Sequence, residues 1–164
     1  MLTSAILLLA VAATGLAQSS ASSYKVYLTS MVDKTYVIVP KAAKNGSTIV
    51  VKPEQQWVIA AGNTTIQLAN STLCLDGGAK SNWKDMASVY IQDCVAGSVS
   101  QIWTVKADGR IALAASSPLT EECLDLQYMR ATPNNPVGLY SCAGLNNAGA
   151  ADKGINWPPA NVTS

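Results

Sequence analysis

The stretch CLDGGAKSNWKDMASVYIQDCVAGSVSQIW, residues 74–103, decides the fold because most of its features occur again in the chain. It opens on Cys-Leu-Asp, has a second cysteine at Cys94 and closes on Gln101-Ile102-Trp103. Short apolar runs within it are separated by Gly, Asn and Asp, a pattern typical of short strands joined by turns. The stretch therefore predicts a small β-structured unit.

The same features return further along the chain at similar distances. Cys74-Leu75-Asp76 returns 49 residues later as Cys123-Leu124-Asp125, and Cys94 returns 48 residues later as Cys142. The tryptophan motif occurs as Gln55-Gln56-Trp57, as Gln101-Ile102-Trp103 and, more weakly, as Ile155-Asn156-Trp157. Such a period indicates units that pack on each other because none can bury its apolar face alone. We expect three repeats, at about residues 22–62, 63–107 and 108–157.

Four cysteines are present, and the sequence alone permits three pairings. They occur only in the second and third repeats, so a pairing that preserves the repeat joins Cys74 to Cys94 and Cys123 to Cys142. An even number of cysteines is typical of disulfides in a secreted chain. The chain has no His and none of the Cys-x-x-Cys spacings of zinc sites, so we expect no metal site and no cofactor.

The N-terminus reads as a secretory signal. An apolar run follows Met1 and ends at Gly15-Leu16-Ala17, a small-x-small cleavage pattern. We expect residues 1–17 to be removed and residues 18–164 to form one extracellular domain. Four glycosylation sequons, which we expect on surface loops, begin at Asn45, Asn63, Asn70 and Asn161.

Composition excludes several classes of function. Hydrophobic residues make up 49% and charged residues 13% of the chain, which favours a packed core over disorder. The net charge is +1 and no basic block occurs, so nucleic-acid binding has no electrostatic support. No second long apolar run follows the signal, so we expect no membrane span. The lack of His removes the usual catalytic base, and we expect no enzyme activity.

The tandem combination of Cys-Leu-Asp, a second cysteine about twenty residues on and Gln-x-Trp resembles the ricin-B-type lectin domain. The resemblance covers nearly all of residues 18–164. It implies an all-β fold, a β-trefoil of three pseudo-repeats with a six-stranded barrel closed by three hairpins. It also implies that Trp57, Trp103 and Trp157 pack in the barrel core and that Gln55 and Gln101 bond to the backbone. The expected function is non-catalytic binding of glycans, such as galactose-type sugars or cell-wall polysaccharide.

The third repeat matches the sugar-binding pattern of that family best. The resemblance assigns the hydroxyl acceptor to the Asp of Cys-Leu-Asp, here Asp125, and the stacking ring to Tyr140, two residues before Cys142. A carboxylate forms strong hydrogen bonds with hydroxyl groups, and an aromatic ring offers a flat apolar surface to the sugar C–H face. Asn146 and Asn147 could add an amide. The alternative is that Asp125 caps a turn and that Tyr140 only packs in a strand.

The other two repeats keep less of the pattern. In the second repeat Asp76 is present, Gln92 replaces the ring, and Trp83 in the loop is the substitute we consider, although it could equally cover the core. In the first repeat Tyr36-Val37-Ile38 stands where Cys-Leu-Asp is expected, so we expect a structural role there.

Two further interpretations come from other classes of function. One is a secreted trefoil protease inhibitor that uses an exposed loop, either residues 115–119 or residues 132–136. The other is a trefoil that has kept its fold and lost its sugar sites. Retention on a sugar matrix distinguishes a lectin from both.

Overall fold

The computed structural model describes residues 22–116, 118–146 and 148–162. The predicted signal at residues 1–17 lies outside this part, as does Asn147. Thirteen strands follow each other in the described residues: β1 Tyr24–Leu28, β2 Val37–Pro40, β3 Ser47–Lys52, β4 Trp57–Ile59, β5 Asn63–Thr64, β6 Gln67–Leu68, β7 Leu73–Asp76, β8 Tyr90–Asp93, β9 Trp103–Val105, β10 Ile111–Leu113, β11 Glu122–Leu126, β12 Val137–Ser141 and β13 Pro159–Asn161.

Helical structure in the same residues is limited to single 3₁₀ turns at Lys80–Asn82, Val99–Gln101, Gln127–Met129 and Gly149–Ala151. None of these helices is long and apolar enough to span a bilayer. The all-β prediction is confirmed.

The strands form two antiparallel sheets. The first has the order β13-β1-β4-β6-β7-β8-β3-β2 and the second the order β12-β11-β10-β9-β5. Isolated bridges from Val50 to Pro136 and from Ser88 to Gly138 join the two sheets. The longest pairing, β11 with β12, matches Glu122 with Ser141 at one end and Leu126 with Val137 at the other. This hairpin carries both residues that the sequence predicts for the third-repeat site.

Three tryptophans hold the repeats together at the centre of the molecule. Trp57, Trp103 and Trp157 are each 0% exposed and belong to one hydrophobic cluster. Their indole N–H groups donate to the backbone carbonyls of Ile38, Leu75 and Leu124, at 2.9, 3.0 and 3.0 Å respectively. A buried indole needs such a partner because an unpaired polar group is costly to bury. The predicted core role of these residues is confirmed.

These bonds also correct the alignment of the first repeat by one residue. Ile38 accepts the bond that Leu75 accepts in the second repeat, so Ile38 corresponds to the Leu of Cys-Leu-Asp. The position of the Asp is therefore taken by Val39, which is buried, and not by Ile38. The expected consequence stands, because Val39 has no group that accepts a hydroxyl proton.

Both disulfides pair within a repeat, as predicted. Cys74 is joined to Cys94 and Cys123 to Cys142, each with 5.0 Å between the Cα atoms. Each bridge links the first strand of a hairpin to the residue after the second strand, closing about twenty residues. Closing a loop of this size is worth about 3 kcal/mol to the folded state.

Candidate functional site

The β11–β12 hairpin brings Asp125 and Tyr140 to the same face of its sheet. In its register Asp125 lies opposite Gly138, and Tyr140 lies opposite Cys123. Directly opposed residues project to one face, and so do residues two apart on a strand. Asp125 and Tyr140 are therefore diagonal neighbours.

A cavity of about 340 Å³ lies over this pair. Its size is near the lower end of the range for small-molecule sites. The residues lining it come from four segments of the chain: Met86, Asp125, Tyr128, Met129, Tyr140, Leu145 and Asp152. The structure thus brings together the two principal residues that the sequence predicts and adds five that it does not.

The Asp125 carboxylate is buried without a partner. It is 7% exposed, and within the part of the chain that the structure describes it makes no hydrogen bond or ion pair. Burial raises the pKa of Asp125 to about 7, with smaller contributions from the negative charges of Asp152 and Asp85. No donor of the described residues occupies an acceptor position of this carboxylate, which lines the cavity. Asp125 lies within β11 and makes no bond to its own backbone, unlike a turn-capping residue.

The partner that Asp125 lacks can be identified from the second repeat. There Gln101 is 2% exposed, and its Nε2 donates to Asp76 Oδ2 at 2.9 Å. The same amide bonds the carbonyl of Asp93 and accepts from the backbone N–H of Val95. Ile155 stands at this place in the third repeat, is fully buried, and its side chain has no hydrogen-bond donor.

Asp152 shapes the long loop between Cys142 and Trp157. Its Oδ1 accepts from the backbone N–H of Gly154 at 2.9 Å, and its Oδ2 accepts from that of Leu145 at 3.0 Å. Both oxygens therefore have partners in the loop itself. The Asn156 amide adds bonds to the carbonyls of Gly149, Ala150 and Asp152. These bonds connect the described residues of the loop, among which Leu145 lies on the rim of the cavity.

Gly154 lets the two carboxylates approach each other. A Cβ atom on this residue would lie 2.9 Å from Asp125 Oδ1 and 3.2 Å from Asp152 Oδ1. The backbone N–H of Leu126 donates to the Gly154 carbonyl at 2.9 Å, which holds the loop against β11. A larger residue would force the loop away from the carboxylate.

The turn after β11 supplies the aromatic and sulfur part of the rim. Tyr128 and Met129 both have left-handed backbones, with φ of 60° and 48°. Such a conformation is strained in residues other than glycine. Tyr128 is 76% exposed, so its ring is presented to solvent at the mouth of the cavity.

Tyr140 is half-buried beside three carboxylates. Burial, and then the charges of Asp85, Asp125 and Asp152, raise the pKa of the Tyr140 phenol above its usual value. A tyrosine phenol is neutral at neutral pH and can donate a hydrogen bond. Asp85 lies just outside the cavity, where its Oδ1 accepts from the backbone N–H of Ser141 at 2.7 Å.

The sequence predicts an amide at this site from Asn146 or Asn147, and the structure describes only the first of them. Asn146 is exposed with φ of 55° and does not line the cavity. Asn147 lies outside the described residues.

The second repeat has a more open hollow of about 520 Å³, lined by Asp76, Gln92 and eight other residues. The Asp76 carboxylate already accepts three bonds, from Gly78 N at 2.7 Å, Gln101 Nε2 at 2.9 Å and Ser100 Oγ at 3.2 Å. A carboxylate has about four acceptor positions, so about one is left for a ligand.

Trp83 does not line this second hollow. Its Nε1 donates to the Gly78 carbonyl at 3.1 Å, and its ring packs against the main core under the Lys80 ammonium, 5.7 Å from the ring centroid. The covering role that we considered for Trp83 is the one this geometry favours.

Five lining residues were missed in the sequence: Met86, Tyr128, Met129, Leu145 and Asp152. Four of them belong to no sequence motif, and only the tertiary structure brings them to the cavity. Asp152 had a signal, since it is the one carboxylate in the long loop before Trp157.

Comparison with known proteins agrees with this architecture. A sequence model of the ricin-type beta-trefoil lectin domain matches residues 62–150, more than half of the chain. No curated protein sequence matches.

Two solved structures are similar. The designed three-fold symmetric protein ThreeFoil has a TM-score of 0.66 at 17% identity, over 84% of this chain and 99% of that one. A mosquitocidal holotoxin has a TM-score of 0.64 at 17% identity, over 88% of this chain but 18% of the toxin. At this identity the likeness concerns the fold, and it confirms the predicted β-trefoil.

Proposed function

The chain belongs to the ricin-type β-trefoil lectin family, and from this premise we propose that it binds glycans without catalysis, mainly through the third-repeat cavity. One observation carries the proposal. The unpartnered carboxylate of Asp125 and the ring of Tyr140 line the same cavity, in the hairpin that the family pattern assigns to sugar binding.

The two groups complement the two kinds of surface on a sugar. Neighbouring hydroxyls would donate to the Asp125 carboxylate, forming charge-assisted hydrogen bonds. The C–H face of the ring would stack on Tyr140, and the exposed ring of Tyr128 would extend the apolar contact. A shallow site of this kind supports dissociation constants of about 10⁻³ to 10⁻⁴ M, or about −4 to −5.5 kcal/mol.

The carboxylates near the cavity do not suit glycosidase chemistry. That chemistry needs two carboxyl groups facing each other across the scissile bond, one of them free to act as nucleophile or base. Both oxygens of Asp152 are bonded to its own loop. Glu121 pairs with Lys106 at 2.8 Å, and Glu122 is buried. Binding without turnover is the function that this arrangement supports best.

The second-repeat hollow would act as an accessory site at most. Its carboxylate is largely occupied by Gly78, Ser100 and Gln101, and its position for the stacking ring holds Gln92. Two weak sites on one molecule can still increase binding to a multivalent surface such as a cell-wall polysaccharide or a clustered galactose-type glycan.

A glycan array probed with the protein and with Asp125→Asn tests the proposal. We expect the wild type to retain a subset of glycans and Asp125→Asn to lose them, because an amide accepts weaker hydrogen bonds than a carboxylate. Asp33→Asn is a matched control, since the Asp33 carboxylate is exposed, lies in the first repeat and bonds only Thr35. Equal glycan binding by folded Asp125→Asn and wild type would contradict the assignment of the site.

We also propose that the protein is secreted and glycosylated. Two disulfides are consistent with an extracellular protein. All four sequon asparagines, Asn45, Asn63, Asn70 and Asn161, are exposed. The amides of Asn70 and Asn161 make no hydrogen bond within the described residues and are the better acceptors. A mass decrease on enzymatic removal of N-glycans, abolished by Asn70→Gln with Asn161→Gln, tests this proposal.

The protease-inhibitor alternative gains no support from the loop at residues 132–136. Its backbone is tied to β3, where Asn134 N donates to the Val51 carbonyl at 2.9 Å. The side chain of Asn135 is buried and bonds the Gln127 carbonyl. An inhibitory loop must project into a protease cleft, and this segment lies against the sheet.

A further inference from the structure

We propose that the third-repeat cavity prefers sugars with a free, protonated amino group over the matching neutral sugars. The inference rests on the proposed function and specifies the class of its ligand. It follows from the charge around the cavity, the unpartnered state of Asp125 and the chemistry of the rim.

The charge around the cavity is negative. Asp125 and Asp152 line it, and Asp85 lies close enough to act on the Asp125 carboxylate. No Lys or Arg is among the described residues that line it. Lys153 lines a neighbouring hollow, together with Met129, Leu145 and Asp152. A cation in the cavity would therefore meet two carboxylates in its wall, with a third just outside it, and no ammonium among the described lining residues.

Asp125 offers a bound cation a specific hydrogen-bonding partner within this negatively charged cavity. Its side chain is more than nine-tenths buried, lines the cavity and has no partner within the described residues. A neutral hydroxyl would satisfy its hydrogen-bonding capacity but leave a buried charge uncompensated. An ammonium group supplies three donors and the opposite charge, and the attraction is strengthened because burial lowers the local dielectric.

The rim can accept a partly dehydrated cation. Tyr128 and Tyr140 offer aromatic faces, and Met86 and Met129 offer polarisable thioethers. Cations near aromatic faces are stabilised, more so when water is displaced. The rim and the carboxylate together resemble the sites that proteins use for organic ammonium groups, whereas the carboxyl group of an acidic sugar would be repelled.

Titration with paired sugars tests the preference. The probes are two pairs: glucosamine with N-acetylglucosamine, and galactosamine with N-acetylgalactosamine. Binding of each sugar is measured from the NMR chemical shifts of the protein at neutral pH and low salt. Within a pair the sugar ring is the same, and the N-acetyl derivative replaces the ammonium by a neutral acetamide. We expect the free amine to bind about tenfold more tightly in the ring series that the cavity accepts, equivalent to about 1.4 kcal/mol.

Variants separate this site from general attraction to an acidic surface. Asp125→Asn should abolish the preference and Asp33→Asn should keep it. Asp85→Asn should reduce it less, because Asp85 stands outside the cavity and an Asn oxygen can still accept from Ser141 N. The Asp85 variant also keeps the test open if Asp125→Asn fails to fold.

The outcomes distinguish the two proposals. If the neutral sugars bind as well as the amines, the ammonium preference is wrong and the lectin function stands. If the amines bind Asp125→Asn as tightly as wild type, the attraction is non-specific and the inference is wrong. If no sugar of either kind binds and the glycan array is empty, both proposals fail.

Discussion

The Nε2 atom of Gln101 lies 2.9 Å from Asp76 Oδ2 and donates a hydrogen bond to it. The third repeat lacks this bond because Ile155 stands at the corresponding place, and Asp125 is left unpartnered. One substitution in the repeat therefore separates a carboxylate that the protein itself satisfies from one that is available to a ligand.

Gln101→Leu should reproduce the third-repeat situation in the second repeat. It removes three bonds at once, to Asp76, Asp93 and Val95, and leaves buried groups unsatisfied. We expect a loss of about 2–4 kcal/mol in the free energy of unfolding, measured by urea denaturation. Gln56→Leu is the control, since the half-buried Gln56 amide bonds only the Tyr27 hydroxyl, at 3.3 Å. Equal losses in the free energy of unfolding for the two variants would show that the three Gln101 bonds stabilise the protein no more than the single Gln56 bond.

The stability of the protein should decrease as the pH rises from about 4 to about 8. Burial raises the pKa of Asp125 from 3.8 to about 7, so the folded state holds a proton that the unfolded state releases. The free energy of unfolding then falls with pH across that interval, by about 2–4 kcal/mol for this group. Urea denaturation at several pH values in this interval measures the slope.

Asp125→Asn should reduce that slope, because the amide does not titrate. The variant should not abolish the slope, since burial and the charge of Asp85 also raise the pKa of Glu122 to about 7. The double variant with Glu122→Gln should be nearly flat. A slope unchanged in Asp125→Asn would assign the titration to another group.

The ring of Tyr140 should matter more for sugar affinity than its hydroxyl. Tyr140→Ala removes the apolar surface in the cavity, and we expect glycan affinity to fall about tenfold, as for the loss of one aromatic contact of about 1.4 kcal/mol. Tyr140→Phe keeps the surface and should stay within about threefold of wild type. Calorimetric titration with a glycan identified on the array measures both. A larger loss in the Phe variant than in the Ala variant would place the hydroxyl, not the ring, in contact with the sugar.

Gly154→Ala should weaken sugar binding by pushing the loop from Asp125. The added Cβ would lie 2.9 Å from Asp125 Oδ1, 3.0 Å from Met129 Cγ and 3.2 Å from Asp152 Oδ1. We expect a stability cost of about 1–3 kcal/mol and a lower affinity for glycan.

Gly97→Ala is the control for Gly154→Ala. Gly97 has φ of 75° and no atom near its added Cβ, so this variant should lose stability through backbone strain alone and keep its affinity. An affinity loss common to both variants would point to general loosening of the fold.

The residues that the sequence predicted correctly are those that the repeat carries. Trp57, Trp103 and Trp157 and the two cysteine pairs recur with the period, so their shared environment could be predicted from one unit. Asp125 recurs with the period as Asp76 does, whereas Gln92 stands in the place of Tyr140 in the second repeat. The strand register brings Asp125 and Tyr140 into one cavity, and their role in binding stays a prediction.

The residues that escaped prediction belong to loops. Met86, Tyr128 and Leu145 reach the cavity from three separate segments, and no periodicity relates them. The amide expected from Asn146 is displaced because the loop folds on Asp152, whose oxygens take the backbone N–H groups of Leu145 and Gly154. The exchange of Gln for Ile155 was visible in the sequence. Its effect on Asp125 was not, since it depends on the buried partner that Gln101 has in the second repeat.

The three buried indoles have a spectroscopic consequence. Each lies in a dry environment with its N–H bonded to a main-chain carbonyl, so all three should emit at similar short wavelengths and shift to the red together when the trefoil unfolds. The chain has four tryptophans, and the remaining one, Trp83, is only half-buried. Quenching by acrylamide in the native state should therefore report on Trp83 alone, which makes this residue an intrinsic optical probe of the second repeat without any label.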